Sequence, residues 1–90
     1  LYTIRPADPH ETREAWRMAI ERQKLPTALV LSRQKVGVLS ADATKDASKG
    51  AYILAEAEGG APQVLLLATG SEVHLALGAR EKLQAEGIRT

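Results

Sequence analysis

The 90-residue sequence has no cysteine and no phenylalanine, and it has only one tryptophan and two tyrosines. The absence of cysteine excludes disulfides, thiolate metal sites and thiol nucleophiles. With so few aromatic residues, any core must be built from leucine, valine, isoleucine and alanine. No apolar run reaches the roughly 18–20 residues of a membrane-spanning helix, and the first residues carry no charged-then-apolar signal pattern. We therefore expect a cytoplasmic location and no membrane partner.

The chain also lacks an excess of charge of either sign. Twelve lysines and arginines stand against eleven aspartates and glutamates, for a formal net charge of +1. A near-neutral chain offers no broad basic surface to a nucleic acid. We therefore expect no nucleic-acid partner, and any charged ligand has to be recognised by individual residues.

The first part of the chain predicts a strand, a helix and a second strand. Residues 1–4 read as a β-branched strand. Asp8 is a typical N-cap, followed by Pro9 in the first turn and by Glu11 at the capping-box spacing, so a helix is expected from about Pro9 to Gln23. The continuous apolar run of residues 27–32 is typical of a buried strand in a parallel sheet.

Helical spacing places several small and apolar residues of this helix on one face. Trp16 is the largest of them, and it is expected to anchor the helix on the sheet. Arg5, beside Pro6, is expected to orient the corner between strand and helix or to offset the charge of Asp8. The predicted buried face consists of Thr12, Ala15, Trp16, Ala19 and Ile20.

The second half predicts a linker followed by two strands. Residues 40–49 are small, polar and charged, with one helical turn near residues 43–48, and they read as an interdomain linker. Residues 51–55 and the apolar residues 63–68 are each expected to form a strand. The sequence begins within the predicted strand of residues 1–4 and stops at residues 88–90, where a further strand is expected to begin, so we expect the 90 residues to be part of a longer polypeptide.

A second helix is predicted to end near Ala85. The capping-box spacing is repeated at its start by Thr69-Gly70-Ser71-Glu72. Beyond its end, Gly87 is expected to adopt the left-handed conformation that terminates a helix. Strand, tight turn and helix in this order are typical of the start of a β-α-β unit.

Two places have the geometry of an anion site, because open parallel sheets bind ligands beyond the carboxyl ends of their strands. The first is Ser32-Arg33-Gln34, where the guanidinium fork of Arg33 matches a phosphate or carboxylate. The alternative for Arg33 is a bond to a local carboxylate or carbonyl group. The second place is Thr69-Gly70-Ser71, where simple helix capping explains the same residues. His10 and His74 have no partners at metal-ligand spacing and are expected to be ordinary surface or half-buried side chains.

Four short stretches of the sequence resemble transketolases. Residues 4–8 (Ile-Arg-Pro-Ala-Asp) and residues 26–34, which end in Leu-Ser-Arg-Gln, are similar to the end of the pyrimidine-binding domain of that family. Residues 50–54 and residues 66–73 (Leu-Leu-Ala-Thr-Gly-Ser-Glu-Val) resemble the opening of its C-terminal domain. The Leu-Ser-Arg-Gln run is not expected in the related deoxyxylulose phosphate synthases or pyruvate dehydrogenase β-type subunits.

The resemblance implies an α/β fold class. The chain would hold parts of two open, mostly parallel-sheet α/β domains of a thiamine-diphosphate-binding fold enzyme. Residues 1–39 would be the C-terminal part of the pyrimidine-binding domain, residues 40–49 the linker, and residues 50–90 the N-terminal part of the C-terminal domain.

The resemblance also implies a function for the complete enzyme. Transketolases move a two-carbon ketol unit reversibly from a ketose phosphate to an aldose phosphate in the pentose phosphate pathway, normally as homodimers. They use thiamine diphosphate with Mg²⁺ or Ca²⁺, bound by parts of the family pattern that these residues do not include. No catalytic, cofactor-binding or metal-binding residue is therefore expected here, and the 90 residues alone are not expected to be active.

Arg33 is the one site residue that the resemblance assigns, because the arginine of the Leu-Ser-Arg-Gln run binds the substrate's terminal phosphate in this family. The sequence departs from the family pattern directly afterwards, at residues 35–37, and Lys35 is expected to point to solvent. Two other readings remain open: a non-catalytic module that binds an anion or nucleotide at residues 69–71, and the C-terminal subunit of a split transketolase.

Overall fold

A β-α-β unit forms the first third of the chain in the computed structural model, which describes all 90 residues. Strand β1 (Tyr2–Ile4) pairs in parallel with β2 (Thr27–Leu29), with Tyr2 opposite Thr27. Helix α1 (Pro9–Glu21) connects them. The parallel pairing predicted for this region is confirmed, but β2 is only half-buried, so the prediction of a buried strand over residues 27–32 was wrong. Both strands are shorter than their apolar runs because each has only the other as a hydrogen-bonding neighbour.

Helix α1 begins as its sequence predicts. The Asp8 side chain accepts a hydrogen bond from the Glu11 backbone N–H at 2.8 Å, and Pro9 occupies the first turn. The Glu11 carboxylate reaches back to the N–H of Ala7 at 2.7 Å, one residue earlier than in the standard capping box. Local hydrogen bonding therefore fixes the start of α1.

The buried face of α1 differs from the predicted one. Ala15 and Met18 are buried, whereas Trp16 is 55% exposed and Ile20 is 69% exposed. Trp16 therefore does not anchor the helix. The predicted buried face is confirmed at Ala15 but was wrong for Trp16 and Ile20. A helix face is buried only where another segment packs on it, and here the neighbouring segments lie beside Ala15 and Met18. This direction is about 100° around the helix from the centre of the predicted apolar stripe, which lies between Trp16 and Ala19.

The polar segment after β2 forms local turns. Residues 41–46 are turns and are followed by a short 3-10 helix, Ala47–Lys49, which packs against α1. Thr44 is buried, and its backbone N–H donates to the Ser40 carbonyl at 3.3 Å. The helical turn predicted near residues 43–48 is confirmed, while the role of residues 40–49 as an interdomain linker remains a prediction.

The second half contains a helix but none of the predicted strands. Helix α2 (Glu72–Ala85) ends where the sequence predicts. Beyond it, Gly87 has a φ of 80°, and the Ile88 N–H bonds the Leu83 carbonyl at 2.9 Å, as in a Schellman motif.

The strands predicted at residues 51–55 and 63–68 do not form. Leu67, in the middle of the second, is 94% exposed. A strand needs a neighbour along its length, and only Gln63 and Val64 bond across, with their N–H groups 2.8 and 3.2 Å from the Arg89 carbonyl. The chain is thus a small α/β structure with a two-stranded parallel sheet and two main helices. Neither helix is long and apolar enough to cross a membrane.

Candidate functional site

Arg33 lies just beyond the carboxyl end of β2. Its side chain is exposed, and it makes no hydrogen bond and no ion pair with the other residues of the chain. Ser32 and Gln34, the two neutral donors on either side, are exposed as well. The alternative of a local carboxylate or carbonyl partner for Arg33 is therefore not realised, and the guanidinium keeps all its donors free for a ligand.

A groove separates the segment after β2 from the corner that leads into α1. Leu31, Ser32 and Val36 line one side of the groove, and residues 6–9 with Thr12 line the other. Lys35 is exposed, in agreement with its expected direction toward solvent. The chain beside Arg33 therefore runs close to the N-terminal end of α1.

The Asp8 carboxylate connects this corner to the far end of the same segment. One oxygen, Oδ1, accepts the helix-capping bond from Glu11, and the other, Oδ2, accepts the Leu39 N–H at 2.9 Å. Asp8 is only 3% exposed, so both bonds are shielded from water. The sequence indicates the capping role of Asp8, but nothing in it marks Leu39, which lies 31 residues away.

A second carboxylate at the same helix end binds a tyrosine from the other half of the chain. The phenol of Tyr52 donates a hydrogen bond to Oε1 of Glu11, whose Oε2 accepts the Ala7 N–H. Burial, and then the adjacent carboxylate, raise the pKa of Tyr52 above its ordinary value. No sequence pattern marks this contact, because the two residues are 41 positions apart.

The second candidate anion site is already filled by contacts within the chain. The Gly70 N–H donates to the Arg5 carbonyl at 3.0 Å, and Ser71 makes no capping bond with its side chain. Glu72 is the first residue of α2, so the predicted capping box does not form here. Gly70 adopts a φ of 60° instead, and this left-handed turn sets the start of the helix. The structure does not favour anion binding at residues 69–71.

Arg5 and Glu72 form an ion pair between the two halves of the chain. The Nη2 atom of Arg5 lies 3.1 Å from Oε2 of Glu72. The pKa of Glu72 is lowered, first by its own backbone N–H, then by the Ser71 hydroxyl and by Arg5. The expected role of Arg5 at the Asp8 corner was wrong, because its guanidinium turns to a partner 67 residues later.

Neither histidine is part of a cluster of potential metal ligands. No three histidine, aspartate or glutamate side chains lie close enough together to hold a metal ion. The His74 ring instead lies against Gly37, where an added Cβ would be 3.2 Å from its Cε1 atom. His74 therefore supports the segment after Arg33 through packing.

Comparison with known proteins identifies the family to which these residues belong. Residues 50–90 match the model of the transketolase-like TK C-terminal domain. Transketolase from Geobacillus stearothermophilus is 56% identical over 91 residues, covering 98% of this chain, and that from Aquifex aeolicus is 48% identical over 95 residues, covering all of it. The chain belongs to the transketolase family. The expected resemblance is thereby confirmed for both halves of the sequence.

The chain spans only a small part of these transketolases, 14% of the Geobacillus protein and 13% of the Aquifex protein. Transketolases as a family use thiamine diphosphate and a divalent metal, and these 90 residues do not fit either group. They offer no cluster of metal ligands, and the Gly70 N–H at the glycine turn before α2 already bonds the Arg5 carbonyl.

Proposed function

We propose that these residues belong to a transketolase that transfers a two-carbon ketol unit reversibly from a ketose phosphate to an aldose phosphate. Within it, residues 1–39 end the pyrimidine-binding domain, residues 40–49 form the linker, and residues 50–90 begin the C-terminal domain. The complete enzyme is a cytoplasmic homodimer that binds thiamine diphosphate and Mg²⁺ or Ca²⁺ through residues outside this segment. The role of the segment is to supply Arg33 to the terminal phosphate of the sugar.

The free guanidinium of Arg33 is the observation that supports this role best. It lies four residues beyond Leu29, the last residue of β2, on the side of the sheet where open α/β sheets bind their ligands. Its planar donor fork can bind two phosphate oxygens at once, and no carboxylate of the chain competes for it. An arginine that already formed an ion pair with a nearby carboxylate would have to break that pair before it could bind a substrate.

A charge-assisted contact of this kind contributes about 1.5–3 kcal/mol to binding. This range corresponds to an affinity ratio of about ten- to a hundredfold for substrates that carry the phosphate. A donor without a phosphate, such as hydroxypyruvate, does not use the contact. Arg33 is thus a specificity residue, and it is not required for the chemistry at the ketol group.

The test is to measure the steady-state kinetics of the complete enzyme with Arg33→Ala, using a ketose phosphate and hydroxypyruvate as alternative donors. The proposal predicts a KM for the sugar phosphate that rises about ten- to a hundredfold, with little change for hydroxypyruvate. Arg33→Lys keeps the charge but loses the fork, and it should recover part of the loss. Gln34→Ala is the matched control on the adjacent residue, and it should have a much smaller effect.

Two results would contradict the proposal. Equal losses on both donors would mean that Arg33 acts on folding or on the shared chemistry. An unchanged KM for the ketose phosphate would mean that other residues hold its phosphate.

A further inference from the structure

The segment that carries Arg33 has few attachments of its own. The last sheet hydrogen bond is donated by Val30 to the Ile4 carbonyl at 2.9 Å. Between that bond and residue 39, no backbone N–H of residues 31–38 donates a hydrogen bond within the chain. An arginine on such a segment loses much conformational freedom on binding, unless the segment is held at its far end as well.

The far end is held by the buried carboxylate of Asp8. Its Oδ2 atom accepts the Leu39 N–H at 2.9 Å, and the same side chain is fixed by its bond to the first turn of α1. Because Asp8 is 3% exposed, water does not readily replace this bond. The packing of His74 on Gly37 holds the segment at a second point. This contact is one of packing only, because Nε2 of His74 is buried without a hydrogen-bond partner.

We propose that Asp8 is a positioning residue for substrate recognition: by holding Leu39, it closes the segment 30–39 and keeps Arg33 where the phosphate binds. This inference rests on the proposed role of Arg33. Asp8 touches no substrate in this account, and its effect is confined to substrates that Arg33 binds. A misplaced binding group loses much of its contribution, so removal of the Leu39 bond weakens the phosphate contact without abolishing it.

Asp8→Ser is the variant that separates the two bonds of Asp8. Serine is as good an N-cap as aspartate, so its hydroxyl can still accept the Glu11 N–H, but it has no second oxygen for Leu39. Glu11→Ala is the matched control, because it removes a carboxylate from the same helix end without touching residues 31–39. Both are made in the complete enzyme, alone and together with Arg33→Ala.

The inference predicts that Asp8→Ser raises the KM for a ketose phosphate about three- to tenfold, and that kcat and the KM for hydroxypyruvate stay nearly constant. In the Arg33→Ala background, Asp8→Ser should add no further rise, because the group that it positions is gone. Glu11→Ala should lower the temperature of unfolding while leaving both KM values unchanged.

The inference on Asp8 is overturned if Asp8→Ser leaves the KM for the ketose phosphate unchanged while Arg33→Ala raises it. It is also overturned if Asp8→Ser affects both donors equally, or if its full effect persists in the Arg33→Ala background. If Arg33→Ala itself has no effect on the KM for the ketose phosphate, the proposed role of Arg33 fails, and the role of Asp8 fails with it.

Discussion

The hydrogen bond from Tyr52 to Glu11 joins the two halves of the chain, and its removal has a calculable cost. In Tyr52→Phe the aromatic ring stays, but Oε1 of Glu11 loses its donor. Removal of a hydrogen bond to a charged group costs about 1.5–3 kcal/mol of stability. Tyr52 is only half-buried, so water can reach the carboxylate, and the lower end of about 1.5 kcal/mol applies. That cost corresponds to roughly tenfold more frequent local opening.

Amide hydrogen exchange of the complete enzyme measures this opening directly, in the peptide that covers residues 47–55. Tyr52→Phe should speed its exchange about tenfold, because the segment then leaves α1 more often. Tyr2→Phe is the control: the Tyr2 hydroxyl makes no hydrogen bond in the chain, and its ring, 4.8 Å from the guanidinium carbon of Arg22, is retained. An equal acceleration by Tyr52→Phe when Glu11 is already alanine would refute the assignment of this bond.

Three further predictions concern the contacts that shape the segment. Gly70→Ala should destabilise the enzyme by about 1–2 kcal/mol in thermal unfolding because of its positive φ, whereas Gly78→Ala, inside α2 with open space around it, should stabilise it by about 0.5–1 kcal/mol. The Arg5 ion pair stabilises the folded chain only while Glu72 is ionised. The stability of Glu72→Gln should therefore equal that of the wild type in either of two conditions, strong salt or a pH below the lowered pKa of Glu72. Because the pKa of Tyr52 is raised in the folded state, its hydroxyl should stabilise the enzyme fully below pH ~10, and this stabilisation should be lost as the pH rises through the raised pKa. The difference in stability between the wild type and Tyr52→Phe across a pH series measures it.

The sequence predicts the start of α1 and the end of α2, because the causes of both are local. The start of α1 depends on Asp8 and Glu11, which are three residues apart, and the end of α2 depends on Gly87 alone. Each of these follows from hydrogen bonds or backbone angles within a few residues.

Features that depend on distant partners could not be predicted in this way. Trp16 fits a buried stripe by spacing, but burial needs a neighbouring segment on that side, and none of the 90 residues provides it. Residues 63–68 have a strand's composition without a neighbour to complete the ladder. The bonds from Asp8 to Leu39 and from Arg5 to Glu72 cross 31 and 67 residues, and no spacing rule connects such positions.

The central claim is that Arg33 holds the phosphate of the sugar substrate. A crystal structure of the complete enzyme with a bound ketose phosphate tests it most directly, through the distance from the guanidinium nitrogens of Arg33 to the phosphate oxygens. Two contacts of about 2.7–2.9 Å are expected, which is the geometry of a bidentate charge-assisted pair. A phosphate bound by other residues, with the Arg33 guanidinium beyond hydrogen-bonding distance of it, would contradict the account.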